Sequence, residues 1–280
     1  MTRALRLRRG APNAADLALL VALAVIVLPI AWMTLAAFRQ PRDLIEPGVP
    51  ITFTFSNFHD LFAAGSTFTH QALNSLEIVV GTTVLCTVIG SLGGYSLSQM
   101  SWRRSAVALV VSVIGLIQLA PPITLVPGEY VTLSQFGLLG TVRGLILLNT
   151  MFVLPIATLL MKVYFDGLPV ELRESGLVDG ASEFMVFRRI MLPLAAPGLA
   201  VVTIFTAILA WNEFLFGLTM SKGASSAPLT VWIATVVQSY SIQWTDLAAA
   251  GVISSVPIIL IAVFANRFVV SGLTAGAVKQ

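Results

Sequence analysis

The chain has 280 residues, of which 57% are hydrophobic and only 10% are charged. A soluble domain carries about 25% charged residues, so this composition indicates a protein whose solvent is the lipid bilayer. The formal net charge is +3, but the basic residues form short clusters between apolar runs, which argues against nucleic acid as a partner. A single cysteine, Cys86, excludes an intrachain disulfide and a thiolate metal cluster.

Six apolar stretches are each long enough to span a membrane. A spanning helix needs about 20 mostly apolar residues, and backbone groups in lipid must be hydrogen-bonded internally, so the stretches are predicted helices. The sequence therefore predicts an all-α membrane protein with six transmembrane helices, at 17–38, 78–102, 105–128, 144–161, 190–212 and 247–266. Pro193 and Pro197 place the start of the fifth helix near Gly198. We expect this helix to run through Glu213 to about residue 218. Pro121-Pro122 and Pro155 predict kinks.

The distribution of lysine and arginine predicts the orientation. The segments predicted to lie on the same side of the membrane as the N-terminus hold 12 lysines and arginines, and the segments on the opposite side hold four. By the positive-inside rule, both termini are then cytoplasmic. The predicted organisation is a cytoplasmic basic segment at 1–16, a transmembrane domain at 17–270 with an uncleaved first span, and a cytoplasmic tail at 271–280. A cytoplasmic loop at 166–197 and an outer loop at 219–246 stand out by their length.

The cytoplasmic loop has the sequence of two short helices. Pro169 suits the first turn of one helix, Asp179-Gly180 is a turn signal, and Ser182 can cap a second helix that Pro193 ends. Apolar side chains recur at helical spacing in the second helix, at Phe184, Phe187, Ile190 and Met191. Two interpretations are open from amphipathicity alone: these side chains pack under the bundle or in the lipid interface, or they dock on a partner.

The spacing in this loop resembles the signature of ABC importer permeases, which reads E-A-A, three residues, G, nine residues, I, one residue, L-P. Here Ser175 and Gly176 replace the two alanines. The resemblance implies a type I importer permease fold, in which this loop forms a pair of coupling helices seated in a cleft of the ATP-hydrolysing subunit. The implied coupling residues are Glu174, Ser175, Gly176, Asp179, Gly180, Ala181, Phe184, Met185, Phe187, Ile190, Leu192 and Pro193.

Further segments are similar to the carbohydrate-type permeases of this family: Asn74-Ser75-Leu76, Gly94 to Ser98, Trp211 to Phe214, and the tail from Gly272 to Lys279. The tail resembles the second permease subunit of maltose-type importers. The resemblance implies a heterodimer with a second permease subunit, two ATP-binding subunits, and an extracytoplasmic solute-binding protein or lipoprotein. It implies no cofactor in this chain, since ATP and magnesium bind to the partner. The residues expected to contact the binding protein lie in the predicted flexible tip of the outer loop at 219–246. They are Ser221, Lys222, Gly223, Ser225 and Ser226.

A few polar residues fall within the predicted spans. Glu213 is the acidic residue well inside one, and a carboxylate there must face the bundle or water. Trp211, Asn212 and Glu213 are candidates for a solute path or gate, although an inter-helix hydrogen-bond network explains Asn212 and Glu213 as well. Asn149 and Gln118 are weaker candidates for the path. Tyr95 and Trp232 are further aromatic side chains that a sugar path would use.

The sequence contains no phosphate-binding loop, no nucleophile elbow and no histidine-based zinc motif, so the chain is not expected to be an enzyme. We therefore expect a multi-pass permease subunit of the inner, cytoplasmic membrane, in contact with lipid, that imports a sugar or sugar-like solute. Two alternatives are open. A glycerol phosphate ester as solute would require basic residues along the path, and an ion-driven carrier would require intramembrane charge relays.

Overall fold

The computed structural model describes residues 13–45, 52–238 and 243–277. Within these ranges the chain is helical, and the only bridge outside the helices joins Arg39 to Phe53. The predictions for the first twelve residues and for residues 278–280 lie outside the described residues. By its internal contacts the chain divides into two compact units, which are described in turn.

The smaller unit consists of the N-terminal helices and the first turns of the last helix. Its helices are α1 (Ala14–Ala37), α2 (Pro41–Ile45), α3 (Ser56–Leu61) and the start of α14 (Trp244–Ala277). Asn13 caps the start of α1, and its backbone N–H donates to the Asp16 carboxylate. Most apolar side chains of α1 are exposed, which suits a helix surrounded by lipid or by another chain.

Among its described residues, the larger unit contains ten further helices and the rest of α14. Their bounds are α4 (Phe68–Gln99), α5 (Arg104–Leu119), α6 (Pro122–Gln135), α7 (Val142–Asp166), α8 (Val170–Val178), α9 (Glu183–Val186), α10 (Leu192–Leu194), α11 (Ala196–Trp211), α12 (Leu215–Met220) and α13 (Leu229–Gln238). A π-helical turn, Phe187–Met191, joins α9 to α10. A short 3-10 turn, Gly223–Ser225, precedes α13.

Helices α4, α7 and α11 form the centre of the larger unit. Small residues let α4 and α7 approach closely. A methyl group added at Gly90 would lie 3.2 Å from the Ala157 side chain, and one added at Gly94 would lie 2.7 Å from the Lys162 backbone nitrogen. Membrane helices associate through such close packing, because burial of apolar surface gives little driving force in lipid.

The candidate spans agree with the predicted fold. Four helices, α1, α4, α7 and α14 as far as Phe264, are long and apolar enough to cross a membrane. Two bent pairs also qualify when each counts as one span: α5 with α6, bent by 97°, and Glu183–Leu194 with α11, bent by 80°. The described residues therefore hold four to six candidate spans, and the predicted all-α membrane fold is confirmed. The bend after α5 lies at Pro121, where the sequence predicted a kink.

Two details of the predicted helices are wrong. The fifth span does not run through Glu213, because α11 ends at Trp211 and α12 starts at Leu215. Pro193 does not end the helix of the cytoplasmic loop, since it occupies the first turn of α10, where a proline needs no helical N–H partner. The last helix continues to Ala277, so the backbone is helical at 271–277, and the cytoplasmic tail at 271–280 stays a prediction.

Candidate functional site

The loop after α7 folds into two short helices that meet at a glycine. Pro169 precedes α8, as predicted, and Gly180 has a φ of +83°, a backbone conformation that residues with a side chain rarely adopt. The Ser182 hydroxyl accepts the backbone N–H of Met185 at 3.3 Å and so caps α9. The sequence thus predicted the start, the corner and the cap of this helix pair.

The two helices touch at Gly176. The backbone N–H of Ala181 donates to the Gly176 carbonyl at 3.0 Å, closing the corner. A methyl group at Gly176 would lie 2.9 Å from Cδ1 of Ile190 and 3.1 Å from a Val186 methyl. Glycine in place of the signature alanine therefore lets the second helix pack more closely on the first.

A polar network that the sequence did not predict fixes the helix pair to α4. The Arg173 guanidinium of α8 forms an ion pair with the Glu183 carboxylate at the start of α9. The Tyr95 hydroxyl, near the end of α4, donates to the same carboxylate at 2.9 Å. The hydrogen bond from Arg173 holds the pKa of the Glu183 carboxyl below its usual range, so the carboxylate is charged at neutral pH.

Aromatic packing lies beneath this network. The Tyr95 ring contacts the rings of Phe187, at a centroid distance of 5.1 Å, and Phe165, at 5.6 Å. Phe187 is therefore buried in the unit, which separates it from the predicted docking residues. Tyr95 was a candidate for a sugar path, and its bond to Glu183 places it at the loop instead.

Other apolar side chains of the loop point away from the unit. Val178 is 86% exposed, Phe184 63% and Met185 42%. Among the predicted coupling residues, Gly176 and Phe187 are buried and Ala181, Ile190 and Leu192 are half-buried. The exposed ones are Glu174, Ser175, Asp179, Gly180, Phe184, Met185 and Pro193. The structure thus separates residues that hold the helix pair in place from residues that can meet a partner.

The break between α11 and α12 is organised by Glu213. Its two carboxylate oxygens accept the backbone N–H groups of Phe216, at 2.8 Å, and Gly217, at 3.1 Å. An acidic side chain at this position satisfies the first N–H groups of α12. Glu213 also lines a void of about 10 Å³ with Asn149 and Ser75, which is about the size of one water molecule.

A larger cavity, of about 250 Å³, lies where α11, α13 and α14 meet. Trp211 and Asn212 line it, together with Thr230 of α13 and Ser254 and Ser255 of α14. Glu213 does not line it, so the three consecutive candidates face two different spaces. The Trp211 indole N–H donates to the Ser254 carbonyl at 3.1 Å, which joins the end of α11 to α14.

The other candidates for the path take part in helix contacts. The Gln118 amide donates to the Phe152 carbonyl of α7 at 3.2 Å. Asn149 is 2% exposed and donates to the Leu145 carbonyl of its own helix at 2.9 Å. The Trp232 ring packs edge-on against Phe68 at a centroid distance of 5.0 Å.

The segment before α13 is held by α4. The Asn74 amide donates to the carbonyls of Ala224, at 3.1 Å, and Ala227, at 3.0 Å. The Ser75 hydroxyl accepts the Leu229 N–H at 2.7 Å. These bonds give the segment more fixed contacts than its serine and glycine content predicted. Of the residues expected to contact a binding protein, Lys222, Gly223 and Ser225 are exposed, Ser221 is half-buried and Ser226 is buried.

The sequence matches a known family over most of its length. Residues 86–274 match the family described as "Binding-protein-dependent transport system inner membrane component". The diacetylchitobiose uptake system permease protein DasC of Streptomyces coelicolor is 33% identical over 96% of each chain. The trehalose transport system permease protein SugB of Mycobacterium tuberculosis is 32% identical, over 90% of this chain and 92% of its own. The trehalose/maltose transport system permease protein MalG of Thermococcus litoralis is 30% identical, over 92% and 94%.

Solved structures share the fold. A chain of a bacterial ABC transporter that imports the acidic polysaccharide alginate superposes with a TM-score of 0.70 at 18% identity, covering 92% of this chain and 99% of its own. A chain from the alginate transporter in complex with an alginate pentasaccharide-bound periplasmic protein gives a TM-score of 0.69, over 90% and 92%.

Proposed function

The chain belongs to the binding-protein-dependent transport system inner membrane components, and from that premise we propose that it is one permease subunit of an ATP-driven importer for a neutral sugar. One observation supports coupling to an ATP-hydrolysing partner: the helix pair α8 and α9 exposes an apolar surface and is itself fixed to α4. The names of the relatives, whose solutes are diacetylchitobiose and trehalose, support the solute class.

In this proposal the helix pair docks on an ATP-hydrolysing partner subunit. Phe184, Met185 and Val178 enter its cleft, and Glu174 meets a basic group there. When the ATPase dimer closes, the pair moves with it, and the network of Arg173, Glu183 and Tyr95 carries that movement to α4. A ligand-driven change requires different contacts in two states, so the partner must grip the loop differently with and without ATP. ATP and magnesium bind to the partner.

The remaining partners follow from the membrane topology of the proposal. Both termini are cytoplasmic, and a second permease subunit completes the path through the membrane. An extracytoplasmic solute-binding protein delivers the sugar to the side that carries Lys222, Gly223 and Ser225. Asn74 and Ser75 hold that segment in place, which gives the binding protein a fixed surface to meet.

Two observations weigh against the alternative functions. The Glu213 carboxylate is engaged by two backbone N–H groups, so it serves a helix start rather than the ion relay that an ion-driven carrier would need. The cavity lining contains no charged residue among the described ones, whereas a phosphate ester would be bound by arginine or lysine.

Uptake by the complete importer tests the proposal. The chain would be reconstituted in vesicles with its partner permease, ATPase and binding protein, and offered neutral di- and oligosaccharides and a glycerol phosphate ester. We expect uptake of a neutral sugar that requires both ATP and the binding protein. Uptake driven by an ion gradient without ATP, or uptake of the phosphate ester alone, would contradict the proposal.

A further inference from the structure

Helix α6 is held in place by few contacts. Of its 14 residues, only Glu129 and Leu133 are buried. Leu133 packs in an apolar cluster with Phe216 and Met220 of α12. The side-chain hydrogen bonds of α6 remain local, and none reaches another helix among the residues that the structure describes. Elements with few buried contacts open at a low cost in free energy, so α6 is loosely attached to the larger unit.

The Glu129 carboxyl group weakens this attachment further. It lies on the same face of the helix as Val126 and Leu133, which both pack in the apolar cluster formed with α7 and α12. Neither carboxyl oxygen is accessible to water or has a hydrogen-bond partner among the described residues. A carboxyl group needs such partners with or without its proton. A buried polar group that lacks them costs free energy, so Glu129 makes the packing of α6 less favourable.

Both ends of α6 allow it to move as a separate element. Before it, the chain bends by 97° between α5 and α6, at Pro121. After it, Gly137 and Gly140 have φ values of +67° and +75°, which residues with a side chain rarely adopt. Hinges consist of a few residues at the ends of elements that absorb changes in φ and ψ. Helix α6 therefore lies between two turns and can move without a bend in a neighbouring helix.

The chain after α6 contacts the segment that, in the proposed function, meets the binding protein. The Gly140 backbone N–H donates to the Met220 carbonyl at 2.9 Å. The Lys222 side chain lies so close to Gly140 that an added methyl group would be 2.7 Å from its Cγ and Cδ atoms. A displacement of the segment around Lys222 is therefore transmitted to the end of α6 through Gly140.

Resting on the function proposed above, we propose that α6 is a strap that leaves α7 and α12 when the solute-binding protein engages the segment around Lys222. The unpartnered Glu129 makes this release easy, because release gives its carboxyl group access to water and so offsets the lost contacts of Leu133. A partner shifts a conformation only by binding its two forms differently. The binding protein must therefore bind the Lys222 segment more tightly after it is displaced together with Gly140.

Labelling of a buried cysteine on α6 tests the release. Leu133→Cys places a thiol on α6 where the side chain is 6% exposed, and Leu148→Cys places one on α7, in the same cluster, where it is 5% exposed. The complete reconstituted importer is treated with a water-soluble maleimide, with and without sugar-loaded binding protein. Wild type, whose Cys86 is buried, gives the background. We expect the binding protein to speed labelling of Leu133→Cys by about 5- to 150-fold, the range of an allosteric coupling, and to leave Leu148→Cys unchanged.

Glu129→Leu tests the role of the carboxyl group. An apolar side chain suits the cluster, so we expect the melting temperature of the purified chain to rise by at least about 2 °C. Because the strap then stays in place, sugar uptake by the importer should fall by about 5-fold or more. Glu129→Gln keeps an unpartnered polar group and should retain most of the uptake. Glu77→Leu makes the same exchange at an exposed position of α4 and should change neither quantity.

The outcomes separate the strap from the proposed function. Wild-type ATP-dependent uptake, with no effect of the binding protein on labelling of Leu133→Cys, would overturn the strap alone. Equal acceleration in Leu133→Cys and Leu148→Cys would also overturn it, because the whole cluster would then open. If Leu133→Cys does not assemble, Glu129→Leu decides, and a variant that is no more stable than wild type, or transports equally well, contradicts the proposal. No ATP-dependent sugar uptake by wild type would overturn the proposed function, and the strap with it.

Discussion

Replacing Arg173 by glutamate is expected to lower ATP-driven uptake by about tenfold or more, the range of a coupling free energy of about 1–3 kcal/mol. The substitution puts a second carboxylate beside Glu183, whose present partners are the Arg173 guanidinium and the Tyr95 hydroxyl. Like charges at this distance repel, so α8 and α9 separate and the pair loses its attachment to α4. Uptake and ATP hydrolysis are measured together, and we expect uptake to fall more than hydrolysis.

The reversed pair provides the decisive control. Arg173→Glu combined with Glu183→Arg restores opposite charges between α8 and α9, and we expect uptake to recover in part. Tyr95→Phe removes only the hydroxyl and should give an intermediate loss. Arg104→Glu makes the same charge reversal at an exposed position at the start of α5 and should have little effect. If the double variant with reversed charges assembles normally but is as inactive as Arg173→Glu, the ion pair does not connect the helix pair to α4 during transport.

The contact between α4 and α7 yields the second large effect. A methyl group at Gly94 would lie 2.7 Å from the Lys162 backbone nitrogen and 2.7 Å from the Met161 Cβ. Backbone atoms cannot rotate away, so the helices must separate. We expect Gly94→Ala to destabilise the protein by about 1–3 kcal/mol, as overpacking does. The measurement is thermal unfolding of the purified chain in detergent.

Gly115→Ala is the matched control, because Gly115 lies within α5 and nothing is within 4 Å of an added methyl group. Alanine is the better helix former, so this variant should be unchanged or more stable by about 0.5–1 kcal/mol. Equal destabilisation by both substitutions would show that glycine flexibility, rather than the close approach of α4 and α7, is what the protein requires.

Local signals in the sequence predicted the spans and the corner of the coupling loop. The length of the apolar stretch is enough to predict α1, α4 and α7, because a spanning helix forms its backbone hydrogen bonds internally. Pro169, Gly180 and Ser182 act on their own backbone, so their roles are readable from neighbouring residues. The signature spacing then identified the family, which the match over residues 86–274 confirms.

Contacts between distant segments could not be predicted in this way. Tyr95 and Glu183 are brought together only by the packing of α4 against α7, and nothing near either residue in the sequence marks the bond. The break after Trp211 was missed for a different reason. The stretch is apolar enough for a continuous helix, and the carboxylate of Glu213 interrupts it by capping a new one. A local polar group overrode hydropathy there.

The central claim is that the exposed apolar surface of the coupling helices docks on an ATPase, and co-purification tests it most directly. The chain is isolated from membranes in mild detergent as wild type, as Phe184→Asp, and as Phe136→Asp, an equally drastic change at a 75% exposed residue before α7, at the opposite end of that helix from the loop. The account predicts that an ATPase accompanies wild type and Phe136→Asp but not Phe184→Asp. An ATPase that binds Phe184→Asp as well as wild type would contradict it.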